Sequence, residues 1–152
     1  MKQRINPYQI LPPAAREALM AVEHYVEGSG LERNLIELVK MRASQINGCA
    51  YCLDMHSKDL RKHGETEQRL YLLNAWEESP LYSPRERAAL AWTEAVTKIA
   101  DTHAPDEVYE EVRRHFSEAE TANLTILIAQ INLWNRIAIS FRSQHPVEAP
   151  AH

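Results

Sequence analysis

The segment "SEAETANLTILIAQINLWNRIAISFR", Ser117 to Arg142, constrains the fold more than any other. Ser117 followed three residues later by Glu120 forms a capping box, which fixes a helix start. The apolar residues beyond it fall on more than one helical face. Such a helix must be covered on several sides, by its own domain or by another subunit. It does not read as a membrane span. Gln130, Asn132, Asn135 and Arg136 interrupt it, whereas a span needs about 20 mostly apolar residues.

The rest of the chain has the same helical character. Pro12 and Pro13 open a helix with Ala15, Leu19, Val22 and Val26 at helical spacing, and Gly28 and Gly30 close it. A second helix is predicted from about Glu32 to Ile46, with Leu35, Leu38, Val39 and Ile46 on one face. Asn47-Gly48 breaks it. A third starts at or near Cys49 and ends before Gly64, and a fourth starts near Thr66. "SPRE" supplies another capping box, with Pro84 at the first helical position. A shorter helix runs from about Pro105 to His115. Strand-like alternation is nearly absent. The expected fold is all-α: a single-domain bundle of about six to seven helices, with its core at about 12–142 and 143–152 a loose tail. A chain of 152 residues is long enough to bury one core without staples.

Charge narrows the function. The net charge is −4 and no basic cluster occurs, which argues against a nucleic-acid surface and against anionic lipid as partners. The opening "MKQRINPYQILPP" has no apolar stretch of signal-peptide length, so a cytoplasmic protein is expected. Structural disulfides are rare there, and a close cysteine pair points to redox or metal chemistry.

That pair lies in "INGCAYCLDMH", Ile46 to His56. Cys49, Cys52 and His56 are three and four residues apart, which puts them on one helical stripe. The unpaired N–H groups and dipole of a helix start favour a thiolate, and the neighbouring cysteine can close a disulfide. Three readings follow from the residues. The first is a redox pair with His56 as base. The second is a zinc site, in which Glu37 completes a Cys-Cys-His-Glu set, although no second Cys/His cluster is present. The third is two inert core cysteines, against which Asn47 and Gly48 imply an exposed helix start. Haem attachment needs a histidine where Leu53 stands. On pattern alone Glu37 reads as a surface acid paired with Arg33. Asp59 and His63 continue the stripe as solvated residues. His24, His103, His115 and His145 read as surface or capping residues, and Trp76, Trp92 and Trp134 as core or interface.

Glu37, Cys49, Cys52 and His56 together spell E-x11-C-x2-C-x3-H. With the flanking "MRASQINGCAYCLDMHSKDLRKHGE" and the later "INLWNRIAISFR", this resembles the signature of alkylhydroperoxidase D-like proteins of the carboxymuconolactone decarboxylase superfamily. The resemblance runs from about Leu31 to Arg142. It implies an all-α fold assembled as a homotrimer or homohexamer, and reduction of organic hydroperoxides by the two cysteines. Cys52 would be the peroxidatic thiol, Cys49 the resolving one, and Glu37 and His56 a proton relay. An external dithiol, lipoyl or thioredoxin-like, would restore the thiols, with no metal or organic cofactor. One residue departs from the pattern: Tyr51 stands where the best-known peroxidase members carry histidine. This keeps open an oligomeric disulfide-handling or binding module with little peroxidase activity. Members of the decarboxylase branch proper lack the cysteine pair, so lactone decarboxylation fits poorly. The helix dipole favours Cys49 as nucleophile and His56 favours Cys52. A positioned base contributes about 10²–10⁴ in rate against about 0.3–1 kcal/mol for a surface helix end, so Cys52 is the expected nucleophile.

Overall fold

A computed structural model describes residues 2–147. Among these the chain is all-α, with no strand. The elements are α1 (Pro7–Ile10), α2 (Pro13–Glu27), α3 (Arg33–Asn47), α4 (Ala50–Lys62), α5 (Glu67–Leu72), α6 (Pro84–Thr97), α7 (Ile99–Thr102), α8 (Asp106–His115) and α9 (Glu118–Phe141). A 3-10 turn, Leu73–Ala75, extends α5. The count exceeds six to seven because α1 and α7 are single turns of four residues, too short to show a period. Residues 143–147 carry no regular structure, and the remainder of the expected tail, 148–152, lies outside the described residues.

Local chemistry accounts for the boundaries. Both capping boxes form: Ser83 accepts from the Glu86 amide and Ser117 from the Glu120 amide, and each glutamate bonds back to the cap. Gly48 ends α3 with φ +68°, a left-handed conformation that glycine adopts without a Cβ penalty. Cys49 is then the N-cap of α4, its sulfur accepting from the Cys52 amide at 3.4 Å.

The centre of the bundle is α3, which packs against α4, α6 and α9. Leu35 and Val39 enter a core with Val26, Trp92, Val112, Leu124 and Ile128. Leu38 and Met41 enter a second core with Leu60, Leu73, Trp76 and Leu90. Each fully buried leucine contributes about 1.5–3 kcal/mol. The third side of α3 carries Glu37, Lys40 and Ser44, all buried. The helix enclosed all round is therefore α3. By length and composition α9 could cross a bilayer, but it keeps Ile126, Leu133 and Ile139 exposed and buries polar side chains inside the bundle.

Those amides explain the interruptions in the apolar run. Asn47 donates to Asn132 at 3.0 Å and to Asn135 at 2.8 Å. Asn135 donates to Ser44 at 3.0 Å, and Asn132 to Thr97 at 3.0 Å. The α3–α4 junction is thus fastened to α9, and the cysteine turn is held with it.

Candidate active site

A cleft of about 550 Å³ opens beside this junction, between α2, α3, α4 and α9. Cys52, His56 and Glu37 line its floor, while Tyr51, Met55, Tyr8 and Trp134 stand at its mouth. Cys49 and Cys52 are joined as a disulfide, with Cα atoms 5.3 Å apart. Both cysteines are buried, at 1% and 2% exposure. The helix start itself is exposed at Gly48, Ala50 and Tyr51, as Asn47 and Gly48 implied, but the two cysteine side chains turn inward, on the side where Asn47 bonds α9. Of the two sulfurs' residues, Cys52 lines the cleft and Cys49 lies behind it, packed with Cys52 against Ala138.

Glu37 requires the larger correction. It is not a surface acid paired with Arg33 but 5% exposed, with Oε2 2.9 Å from His56 Nδ1 and Oε1 3.7 Å from Lys40 Nζ. Burial alone would raise its carboxyl. The His56 hydrogen bond and the Lys40 and Arg33 charges outweigh burial and hold it below the ordinary range. An ionised carboxylate only accepts, so Nδ1 carries the donated proton. That leaves His56 Nε2 as the basic nitrogen. It is buried and has no hydrogen-bond partner.

The fold thus brings together all four residues expected from the sequence: Glu37 across from the α4 stripe of Cys52 and His56, with Cys49 capping that helix. Sequence reasoning missed Lys40 and Glu23. Lys40 is 3% exposed and sits 2.5 Å from Glu23 Oε1. The other Glu23 oxygen accepts from Gln130 and, at 3.1 Å, from the Trp134 indole. Burial would raise Glu23 also, but the Lys40 bond and charge and these two donors lower it. One signal could have found Lys40: Glu37, Lys40 and Ser44 fall at i, i+3 and i+7, a polar stripe flanked by the apolar Ile36, Met41 and Ala43. Trp134, expected in core or interface, is half-buried at the cleft mouth.

Residues 13–95, more than half of the chain, match the carboxymuconolactone decarboxylase family. The chain belongs to that family. Its relative in Bacillus subtilis, the uncharacterized protein YdfG, is 48% identical over 140 residues, covering 92% of this chain and 95% of YdfG. The crystal structure of ATU0492 from Agrobacterium tumefaciens, a protein of unknown function, superposes with a TM-score of 0.93 at 54% identity, covering 97% of this chain and all of that one. A shorter match joins the chain to the alkyl hydroperoxide reductase AhpD of Hyphomonas neptunium, 46% identical over 41 residues, 27% of this chain and 23% of that protein. The superposition on ATU0492 makes the fold AhpD-like, and the chain carries its cysteine pair as a disulfide.

The site also has a set of oxygen and nitrogen donors. One ligand atom each from Glu37, His56 and Asp59 lies within 4.8 Å of the others. Asp59, expected to be solvated, is half-buried at the cleft. This differs from the Cys-Cys-His-Glu set considered from the sequence. The Lys40 ammonium beside Glu37 and the His56–Glu37 bond already occupy both Glu37 oxygens, which opposes a further cation there.

Proposed function

We propose that the protein is a thiol-dependent peroxidase that reduces organic hydroperoxides through Cys52 and Cys49. One observation carries this reading. The buried His56 is anchored by Glu37 through Nδ1 and leaves Nε2 unpaired, one helical turn from Cys52 on the floor of a cleft. In the dithiol state, His56 Nε2 takes the Cys52 proton and the Glu37 carboxylate stabilises the imidazolium. The Cys52 thiolate attacks the terminal peroxide oxygen. The O–O bond breaks, Cys52 becomes a sulfenic acid, and the departing alkoxide leaves as alcohol with the proton from His56. The Cys49 thiol then displaces hydroxide from the Cys52 sulfur, giving the disulfide and water. The sum is one hydroperoxide and two thiols to one alcohol, one water and one disulfide. An external dithiol, lipoyl or thioredoxin-like, closes the cycle by exchange.

The apolar side chains exposed on α9, with Val22 and Tyr25 on α2, support self-assembly within the same reading, and the family resemblance makes the assembly a homotrimer or homohexamer. Tyr51, exposed at the cleft mouth, favours a second reading, an oligomeric disulfide-handling module with little peroxidase activity. A free-thiol titration with intact mass separates the two. Reduced protein given one equivalent of cumene hydroperoxide should lose two thiols and the mass of about two hydrogens, as a disulfide requires. Thiols that react no faster than free cysteine would leave the disulfide-handling reading.

A further inference from the structure

We propose that Lys40 is a positioning residue of the thiol chemistry: clamped between Glu23 and Glu37, it fixes the carboxylate that orients His56 and so governs how readily Cys52 reacts. The inference rests on the peroxidase reading for the identity of the reacting thiol. Lysine is almost never fully buried unless paired, and burying its ammonium carries a large desolvation penalty. A tie between α2 and α3 would need only one carboxylate. Here the ammonium has two, Glu23 at 2.5 Å and Glu37 at 3.7 Å.

Every oxygen of both acids is engaged. Glu23 takes Lys40 on one side, and Gln130 and Trp134 on the other. Glu37 takes Lys40 on one side and His56 on the other. A single chain of contacts thus runs from the Trp134 indole at the cleft mouth to His56, one helical turn from Cys52. Its charge is suited to a proton transfer. Two carboxylates and one ammonium leave one negative charge, and the His56 imidazolium formed by deprotonating Cys52 neutralises it. Without Lys40, burial favours a protonated Glu37, which no longer stabilises the imidazolium.

Other ionisable groups face the cluster: Tyr8 from α1, Arg16 and Glu27 from α2, Arg33 from α3, and Tyr51 and Asp59 from α4. α9 contributes the neutral donors Gln130 and Trp134. Arg16 and Arg33 are exposed, so solvent screens them, and Lys40 is the cation inside.

The test follows Cys52 alone, in reduced protein carrying Cys49→Ser, by its alkylation rate with iodoacetamide between pH 5 and 10. Lys40→Met should slow the reaction at pH 7 by about tenfold and move the acid limb of the profile up by about one pH unit, the loss of an opposite charge near a buried carboxylate. Lys40→Arg, which keeps the charge, should return the limb toward its original position. Glu23→Gln combined with Lys40→Met removes both ions of the tie and leaves neither unpaired; it should keep a smaller shift in the same direction. A uniform fall at every pH with the limb unmoved would mean a merely structural lysine and would overturn the inference. If Lys40→Met does not fold, an unmoved limb in the double variant does the same. Alkylation involves no peroxide. A reference protein that leaves cumene hydroperoxide intact therefore sinks the peroxidase reading, while a shifted limb still upholds the role of Lys40.

Discussion

At the end of the bundle where α6 and α9 begin, Arg85 grips Glu32 at 2.8 Å and Glu120 at 2.7 Å. Its guanidinium also donates to the His115 carbonyl and lies 3.9 Å from the centroid of the Phe116 ring. Arg69 does the same nearby with Glu65, Glu86 and Tyr82. In the cleft, Lys40 likewise holds two glutamates, but the chain of contacts there ends on an unpaired nitrogen, His56 Nε2. The two regions use the same charges to different ends. The arginine hubs are half-open to solvent and close on themselves. They grip the glutamates of the two capping boxes and tie α5, α6, α8 and α9 together. The lysine hub is more deeply buried, and its network leaves Gln130 Oε1 and His56 Nε2 unpaired, the latter one helical turn from Cys52 in the cleft. A charged cluster can do chemistry where a buried bond is left open, and it is a fastener where every bond is made.

Four measurements test this contrast. The largest effect is expected at the sulfurs. Cys52→Ser should abolish hydroperoxide consumption, whereas Cys49→Ser should leave one turnover and a sulfenic acid on Cys52 that dimedone traps. A sulfenic acid trapped only in the Cys52 variant would reverse the roles. Next comes the base: His56→Asn should slow the reaction with cumene hydroperoxide by about 10²–10⁴, and Glu37→Gln by less, because it acts through His56.

The third concerns the arginine hub. Arg85→Ala should cost about 1–2 kcal/mol of stability, two half-exposed ion pairs and a ring contact, and leave the Cys52 alkylation rate unchanged. It should also alter the acid response. The Ser117 backbone bond and Arg85 lower Glu120 below its ordinary 4.5. In Glu32, burial raises the carboxyl and the Arg85 bond more than offsets it. A depressed carboxyl stabilises the fold above its unfolded value, and that stability is lost as pH falls through the lower folded value. The urea midpoint should therefore hold down to about pH 5, fall below 4.5, and fall less steeply in Arg85→Ala. The smallest effect is expected at Arg61, whose pair with Glu67 is exposed. Hydrogen bonds from Arg61 and Tyr71 lower Glu67 to about 2, yet Arg61→Ala should not move the urea midpoint at pH 7 measurably, because water solvates both partners.

Much of this was legible in advance, and for identifiable reasons. Ser83, Pro84 and Glu86, and Ser117 with Glu120, marked two helix starts because a capping box is completed within one turn. Gly48 marked the end of α3, since the turn needs a left-handed residue where the cysteine helix begins. Cys49, Cys52 and His56 were legible as a stripe from spacing. Glu37 joined them only through the resemblance, as spacing alone made it a surface acid. Lys40 went unread, and so did Glu23, which lies 17 residues away in sequence and on another helix.

The features readable from neighbouring residues were therefore local: the helices, their caps, the break at Gly48 and the order of groups along α4. Each depends on bonds closed within about four residues. Which charges are exposed and which are buried depends on how the helices pack. Glu37 and Lys40 are buried because α2, α4 and α9 cover that side of α3, and covering is a property of distant segments meeting. Burial then set the chemistry, since the same carboxylate and ammonium that would be screened on a surface helix become, inside, the fixed charges that orient His56.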